Sequence, residues 1–482
     1  MKYSILLKQH IGAPDVSVVN AGDEVMPGTL LAKTAGLGAP LYSPVKGKVI
    51  EITDQLIQLE GEESSEFLPL AGTDVKEILA ESGIVGMGGA GFPTSVKCNV
   101  DLKGGYILVN AAECEPLLHH NIQQLETNLD QTIEGVKILM KLCNASQGIF
   151  AIKEKHAEAI ELLGKACSKE ENISYHLLPD LYPMGEERAV VREVLGKLLA
   201  PTDLPSAADA VVVNAETVLR VAQAVLEHRP CMTKNVSVAG KLKGGTHTRV
   251  FFDVPIGTSV GELIERAGGI DGEYGEILMG GPFTGRSVDL DTPITRTTGG
   301  IIVTAPFEDL KGAKLGILLC ACGGNQARME EIAKKMNAEV VLIQKCKQAA
   351  DVKGTLKCEN PGNCPGQASK CLNFKKAGCT DILIGNCSDC TNTVMGSAPK
   401  LGLVVHHQTD HVFDTVGLER MRHLTKSKTV ADQETSVEAP LSADPVPASA
   451  EPEAVHIEQQ IVDGILKIDI REGKNIHIEL PL

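Results

Sequence analysis

Short apolar runs punctuated by Gly-Asp and Gly-Pro pairs fill residues 12–51, GAPDVSVVNAGDEVMPGTLLAKTAGLGAPLYSPVKGKVIE, and predict a small sandwich or barrel of short strands. From Thr73 the period lengthens. Val75, Ile78 and Leu79 fall on one helical face behind Asp74, and Gly83 closes the turn. Strand YILVN (106–110), the helical run LETNLDQTIEGVKILMKLC, strand GIFAI and helix HAEAIELLGKAC then alternate to residue 167. A second helical run, ERAVVREVLGKLL, precedes the buried strand ADAVVVN, which ends at Asn214 and leads into another helix. In residues 236–304 two strands flank a Gly-Gly turn, and a helix begins near Ser259 and stops at Gly268-Gly269. Residues 312–424 return to alternation, with strands AKLGILLC, EVVLIQKC, DILIGNC and LGLVVHH between helices QARMEEIAKKM and QASKCLNFKKAG. Residues 428–455 are rich in Ala, Pro, Glu and Ser and read as a disordered linker, while GILKIDIREGKNIHIELPL at the end reads as a hairpin.

The expected fold class is multidomain α/β and β. The pair AGDEVMPGTLLAK and LYSPVKGKVIEI resembles the halves of a lipoyl-like barrel-sandwich, without the hairpin lysine of a swinging arm. The expected divisions are a barrel-sandwich at 1–68, an α/β domain at 69–232, a β-grasp (SLBB-like) module at 233–306, a cysteine-rich α/β domain at 307–427, the linker at 428–455 and the C-terminal hairpin at 456–482. The net charge of −16 and the lack of a strongly basic run argue against nucleic-acid binding. No stretch approaches the ~20 apolar residues of a spanning helix, and the start MKYSILLKQHIGAPD is too soon interrupted for a signal peptide, so a cytoplasmic protein is expected. In that setting the 14 cysteines imply free thiols, metal ligation or redox chemistry; nine of them lie between Cys320 and Cys390.

The loop VGMGGAGFPTSVK (85–97) has the glycine content of a phosphate cradle. It fails as a P-loop, because Gly86 and Gly91 are correctly separated but Phe92 stands where the lysine must be. It also follows a helix rather than a first strand, which excludes a dinucleotide fingerprint. Alone, it reads as a structural turn.

The loop is followed in order by VNAAECEP (109–116), YPMGEERAV (182–190) and VVNAETV (212–218). Together these segments resemble the flavin-binding domain shared by the NADH-oxidising subunit of respiratory complex I and by RnfC-type electron-transfer subunits. The resemblance to the RnfC family extends over about the first 305 residues, GGPFTG (280–285) included. It implies NADH as donor and a non-covalent FMN. By motif, Gly88, Gly89 and Lys97 would contact the FMN phosphate or ribityl chain, and Gly91 is a further cofactor-binding candidate. Asn110, Glu113, Gly185, Glu186 and Asn214 would line the isoalloxazine, and Phe92, Glu115 and Glu187 would meet the nicotinamide dinucleotide. Ala112 replaces an aspartate of the complex I protein, removing one flavin contact. For Glu113 and Glu186 the plainer alternative is a helix-capping carboxylate.

Downstream the chain departs from RnfC, since CACGGN (320–325), Cys346, CENPGNCPG (358–366) and GNCSDCTN (385–392) replace the ferredoxin spacing. This pattern resembles the proline reductase-associated branch of the family, which implies electron delivery to D-proline reductase within a protein complex. Cys387-x-x-Cys390, with Cys320 and Cys322, is a candidate dithiol site. The rival is an iron–sulfur cluster or zinc held by cysteines that include Cys346, Cys358 and Cys364. Cys371 and Cys379 read as inert, His406, His407 and His411 as a solvated loop, and His119 and His120 as structural.

Overall fold

Two small sheets build the N-terminus. One runs in the order Lys2–Leu6, Leu56–Glu62, Lys46–Ile52, Glu24–Val25, and the other Val16–Ser17, Leu30–Lys33, Leu41–Tyr42. Alternation sets the register: Tyr3 pairs with Leu59 and Ile5 with Ile57, all of them buried. Gly47 faces Gly61, and a Cβ on Gly47 would lie 2.1 Å from the Glu60 carbonyl oxygen, so the backbones approach where no side chain fits. The computed structural model describes residues 1–420 with side chains, and the backbone of strands His456–Val462, Ile465–Glu472 and Lys474–Pro481. The linker expected at 428–455 lies outside the described residues.

The next sheet is parallel, in the order Ile173–Leu178, Ala145–Lys153, Gly105–Ala111, Ala210–Asn214. Gly105–Ala111 is a near-continuous apolar run because both its faces are covered, and helices His120–Cys143 and Ala215–Glu227 pack on the sheet and on each other. Asp74 caps helix Val75–Glu81, accepting the Lys76 and Glu77 N–H groups. The edge strand Ile173–Leu178 has no counterpart among the expected elements; its Tyr175 and Leu177 face solvent, which removes the apolar signal.

A five-stranded sheet follows, in the order Arg249–Pro255, Thr233–Gly240, Gly300–Val303, Ile277–Met279, Arg286–Val288, with helix Val260–Arg266 capped by Ser259. The last α/β unit has the parallel order Glu339–Lys345, Lys314–Leu319, Asp381–Ile384, Val404–His407. Three of its features are not among those expected from sequence: a hairpin of Ala349–Val352 and Thr355–Cys358, helix Ser388–Met395 and helix Asp410–Val416. Strand Asp381–Ile384 therefore stops short of the CSDC segment, where Cys387 is the helix N-cap and Cys390 lies in the first turn. At the C-terminus the strands His456–Val462, Ile465–Glu472 and Lys474–Pro481 form a three-stranded antiparallel sheet in place of the expected hairpin.

Buried charges tie the N-terminal unit, the parallel sheet and the five-stranded sheet together. The guanidinium of Arg296 is fully buried and donates to the carbonyl oxygens of Ala39, Pro40 and Gly83. Glu216 accepts from Lys234, from the Asn235 N–H at 2.8 Å and from Arg220 at 3.3 Å, joining the α/β sheet to the five-stranded one. Among the described residues no helix is long and apolar enough to cross a membrane.

Candidate functional site

The loop 85–97 lies against the carboxyl end of the edge strand Ala210–Asn214, which pairs with Gly105–Ala111, and α/β sheets bind ligands at such strand ends. Gly88 packs against the Asn214 side chain so closely that a Cβ would come within 2.7 Å of Nδ2. Gly89 faces open space, and Gly88 to Ala90 are exposed. Gly91 has φ +68°, which glycine tolerates best. A ledge of exposed glycine backbone over an asparagine fits a bound phosphate or ribityl chain, so these residues suit FMN. Phe92 is half-buried, and its carbonyl accepts the Gly86 N–H.

The other expected residues form a frame. Asn110 donates to the Gly185 carbonyl at 2.8 Å, and Asn214 caps helix Ala215–Glu227 while donating to Asn121 at 3.3 Å. Glu186 caps helix Glu187–Leu195 and pairs with Arg188 at 3.0 Å. Glu113 accepts the Asn121 and Ile122 N–H groups at 3.0 Å each, at the start of helix His120–Cys143. The capping alternative thus describes both glutamates. Lys97 forms an ion pair with Glu187, bringing an expected phosphate ligand against an expected nicotinamide contact.

Burial lifts the Glu113 carboxyl to about 7, against the pull of its two N–H donors. A carboxyl raised on folding contributes stability below its ordinary value near ~4.3, lost as pH rises through the folded value. Denaturant melts of the native chain should therefore weaken between about pH 4 and pH 8, and Glu113→Gln should flatten that slope. Beside it His120 bonds Ser237 at 3.1 Å and is held neutral by burial, as expected of a structural histidine.

Glu115 stands elsewhere. It accepts the Phe283 and Thr284 N–H groups at 2.8 and 2.9 Å, clamping the GGPFTG turn. Phe283 in turn stacks on Tyr182, ring centroids 3.7 Å apart, and the Tyr182 hydroxyl donates to the Cys322 carbonyl at 2.6 Å. This aromatic pair borders a pool of buried cysteines, Cys320, Cys322, Cys346, Cys358, Cys387 and Cys390, with Cys114 and Cys364 half-buried beside it. Sequence reasoning missed Cys114, Tyr182 and Phe283, since nothing local marks a residue whose partners lie in another domain.

Within the pool, Cys390 Sγ meets Cys364 Sγ at 3.1 Å and also neighbours the sulfurs of Cys320, Cys346 and Cys387. Cys322 neighbours the sulfurs of Cys320, Cys358 and Cys387. The buried Gln367 amide donates to Cys346 at 3.1 Å, Cys364 at 3.4 Å and Cys390 at 3.5 Å. Donors around Cys364, Cys390 first, pull its thiol down to about 6, while Cys390, bonded to its neighbours' sulfurs, keeps its proton. All these cysteines are free, and among the described residues no group of three or more His, Cys, Asp or Glu forms a ready metal site. Of the three cysteines singled out for metal, Cys346 and Cys364 flank Gln367, whereas Cys358 packs with Cys322 and Gln348.

Cys371 and Cys379 are buried in a separate apolar core, as expected of inert cysteines, but only Cys371 is helical, since helix Ala368–Lys376 ends before Cys379. The solvated-loop reading of the histidines is overturned, because His406, His407 and His411 are all buried. His406 bonds Asp381 at 2.8 Å, His407 the Asn386 carbonyl at 3.0 Å and His411 Glu276 at 2.8 Å. They sit on a strand and a helix, Val404–His407 and Asp410–Val416.

Comparison with known proteins gives two domain matches: residues 79–223 match the Nuo51 FMN-binding domain and residues 1–67 the RnfC barrel-sandwich hybrid domain. The chain is 34% identical over 342 residues to a component of the proton-translocating ferredoxin:NAD(+) oxidoreductase complex of Clostridium ljungdahlii, spanning 66% of this chain and 74% of the relative. It is 30% identical over 326 residues to the cobalamin reductase PduS of Salmonella typhimurium, spanning 67% of each. To a component of the Na(+)-translocating ferredoxin:NAD(+) oxidoreductase complex of Acetobacterium woodii it is 27% identical over 321 residues, spanning 62% of this chain and 72% of that one.

Proposed function

We propose, for a chain that belongs to the RnfC-like family of electron-transfer subunits, that it takes electrons from NADH through FMN and passes them by its C-terminal cysteines to a partner reductase. The observation that carries this reading is the exposed glycine ledge on Asn214, at the strand ends of the domain that matches an FMN-binding family. FMN would supply the exchange between a two-electron donor and later carriers. Gly88, Gly89, Gly91 and Lys97 would hold its phosphate end, and Asn110, Glu113, Gly185, Glu186 and Asn214 would shape the ring side. Phe92 and Glu187 would face the nicotinamide. We assign Glu115 to positioning instead, through its hold on the turn that carries Phe283. The five-stranded sheet with its capped helix supports reading 233–306 as a β-grasp module.

Relatives named as members of oxidoreductase complexes support a role inside an assembly. D-proline reductase is the acceptor we assign, on the cysteine pattern of residues 320–390. Purified protein should be yellow, absorbing near ~450 nm, and should bleach with NADH under anaerobic conditions. A colourless protein that retains no FMN through gel filtration after incubation with it would end the proposal.

One observation favours a second reading, an iron–sulfur or zinc centre among the cysteines. The Asn386 side chain, beside Cys387, is fully buried with neither its amide nitrogen nor its oxygen bonded, and such a donor suits a sulfide or thiolate on a metal. Stoichiometric iron or zinc in the isolated chain would establish it.

A further inference from the structure

The cysteine pool holds more thiols than a single exchange reaction uses, and the geometry separates their roles. Cys390 is buried at its centre, and neighbours Cys320, Cys346, Cys364 and Cys387. Cys320, Cys322, Cys346, Cys358 and Cys387 are each no more than 8% exposed, which closes them to a macromolecular acceptor. Cys364 and Cys114 are both half-buried, and of these two it is Cys364 whose sulfur meets Cys390, so the central thiol reaches the surface through Cys364.

Its surroundings suit a sulfur that bears charge. The Gly366 N–H and the Gln367 amide each reach Cys364 Sγ at 3.4 Å, as does the Thr393 hydroxyl. The backbone is pinned as well, because the Cys364 N–H donates to the Asp389 carboxylate at 2.6 Å, locking the 358–366 loop onto the first turn of helix Ser388–Met395. That contact holds the two sulfurs together although 26 residues separate them.

We propose that the redox-active pair of this centre is Cys364 with Cys390, rather than the sequence neighbours Cys387 and Cys390, and that Cys364 is the thiol that meets an acceptor of the disulfide class. The proposal rests on the NADH-driven reading above for its supply of electrons. In the oxidised centre the two sulfurs share a bond. Two electrons and one proton from the reductant NADH break it, leaving a thiolate on Cys364 and a thiol on Cys390. Cys364 attacks the acceptor disulfide, forming a mixed disulfide and releasing one acceptor thiolate. Cys390 gives its proton to that thiolate and attacks the Cys364 sulfur, which re-forms the internal bond and frees the second acceptor thiolate. The acceptor gains two electrons and one proton.

Mild oxidation of the full chain with diamide, followed by digestion without reductant and peptide mass mapping, tests the pairing. A peptide linking Cys364 to Cys390 is expected in the native chain and in Cys387→Ser. In Cys390→Ser, 5,5′-dithiobis(2-nitrobenzoate) should leave a stable mixed disulfide on Cys364, and NADH-dependent reduction of that reagent should fall on the order of 100-fold in Cys364→Ser. A native Cys387–Cys390 link, or thiols that stay unoxidised on stoichiometric iron or zinc, would overturn the proposal. Ferricyanide reduction by NADH in the native chain reads the flavin half separately. Failure there removes the function proposed above and leaves the disulfide map to decide this one.

Discussion

Lys97→Ala should empty the flavin site: FMN affinity is expected to drop about 10–100-fold, the scale of one lost charge-assisted hydrogen bond in a partly buried place. The measurement is FMN retained through gel filtration, or titration of the apoprotein by flavin fluorescence. The ion pair of Lys97 with Glu187 gives the test a second arm. A carboxylate already on the ammonium competes with an incoming phosphate, so Glu187→Gln should tighten FMN binding a few-fold while weakening the use of NADH. If Lys97→Ala kept its flavin and Glu187→Gln changed nothing, the lysine would be a surface ion pair of small energetic consequence.

Lys234→Met is expected to give the largest loss of stability. Lys234 and Glu216 are both fully buried, and Glu216 also serves Arg220 and the Asn235 N–H. Removing the ammonium leaves a carboxylate in a dry interior with part of its compensation gone, a change that costs about 3–5 kcal/mol. A scanning-calorimetry transition for the joined sheets should move down by roughly 10 °C. Glu216→Gln added to Lys234→Met should recover part of the loss, because a neutral amide keeps hydrogen-bonding capacity without the stranded charge. If the double variant were less stable than the single one, the pair would not be the source of the effect.

What the chain disclosed in advance depended on whether the evidence was local. Asp74 before Val75, Ile78 and Leu79 specified a capped helix, and helix Val260–Arg266 follows Ser259 for the same reason. Strand Gly105–Ala111 was legible from its apolar run, whereas Ile173–Leu178 hid because an edge strand shows solvent its alternate residues. Cysteines placed just after parallel strands announced a shared site: Cys320 follows Lys314–Leu319 and Cys346 follows Glu339–Lys345. The choice of partners was not legible. Spacing favoured Cys387 with Cys390, while the tertiary contact sets Cys390 against Cys364 across a loop whose position depends on Asp389. The histidines misled for a similar reason: VVHH on a strand continues inward, and Asp381 and Glu276 receive His406 and His411 from other elements.

The stacked rings of Tyr182 and Phe283 have a kinetic consequence. Tyr182 belongs to the segment that carries Gly185 and Glu186, its hydroxyl grips the Cys322 backbone, and its N–H is taken by the Ser388 hydroxyl at 3.1 Å. A carrier that swings on a tether must search for its target, and its delivery slows in viscous solvent. Here the glycine-loop domain and the cysteine pool share a packed seam instead, so on the proposed route electrons inside the chain would cross a fixed span, and the diffusive step would be left to the encounter with the acceptor.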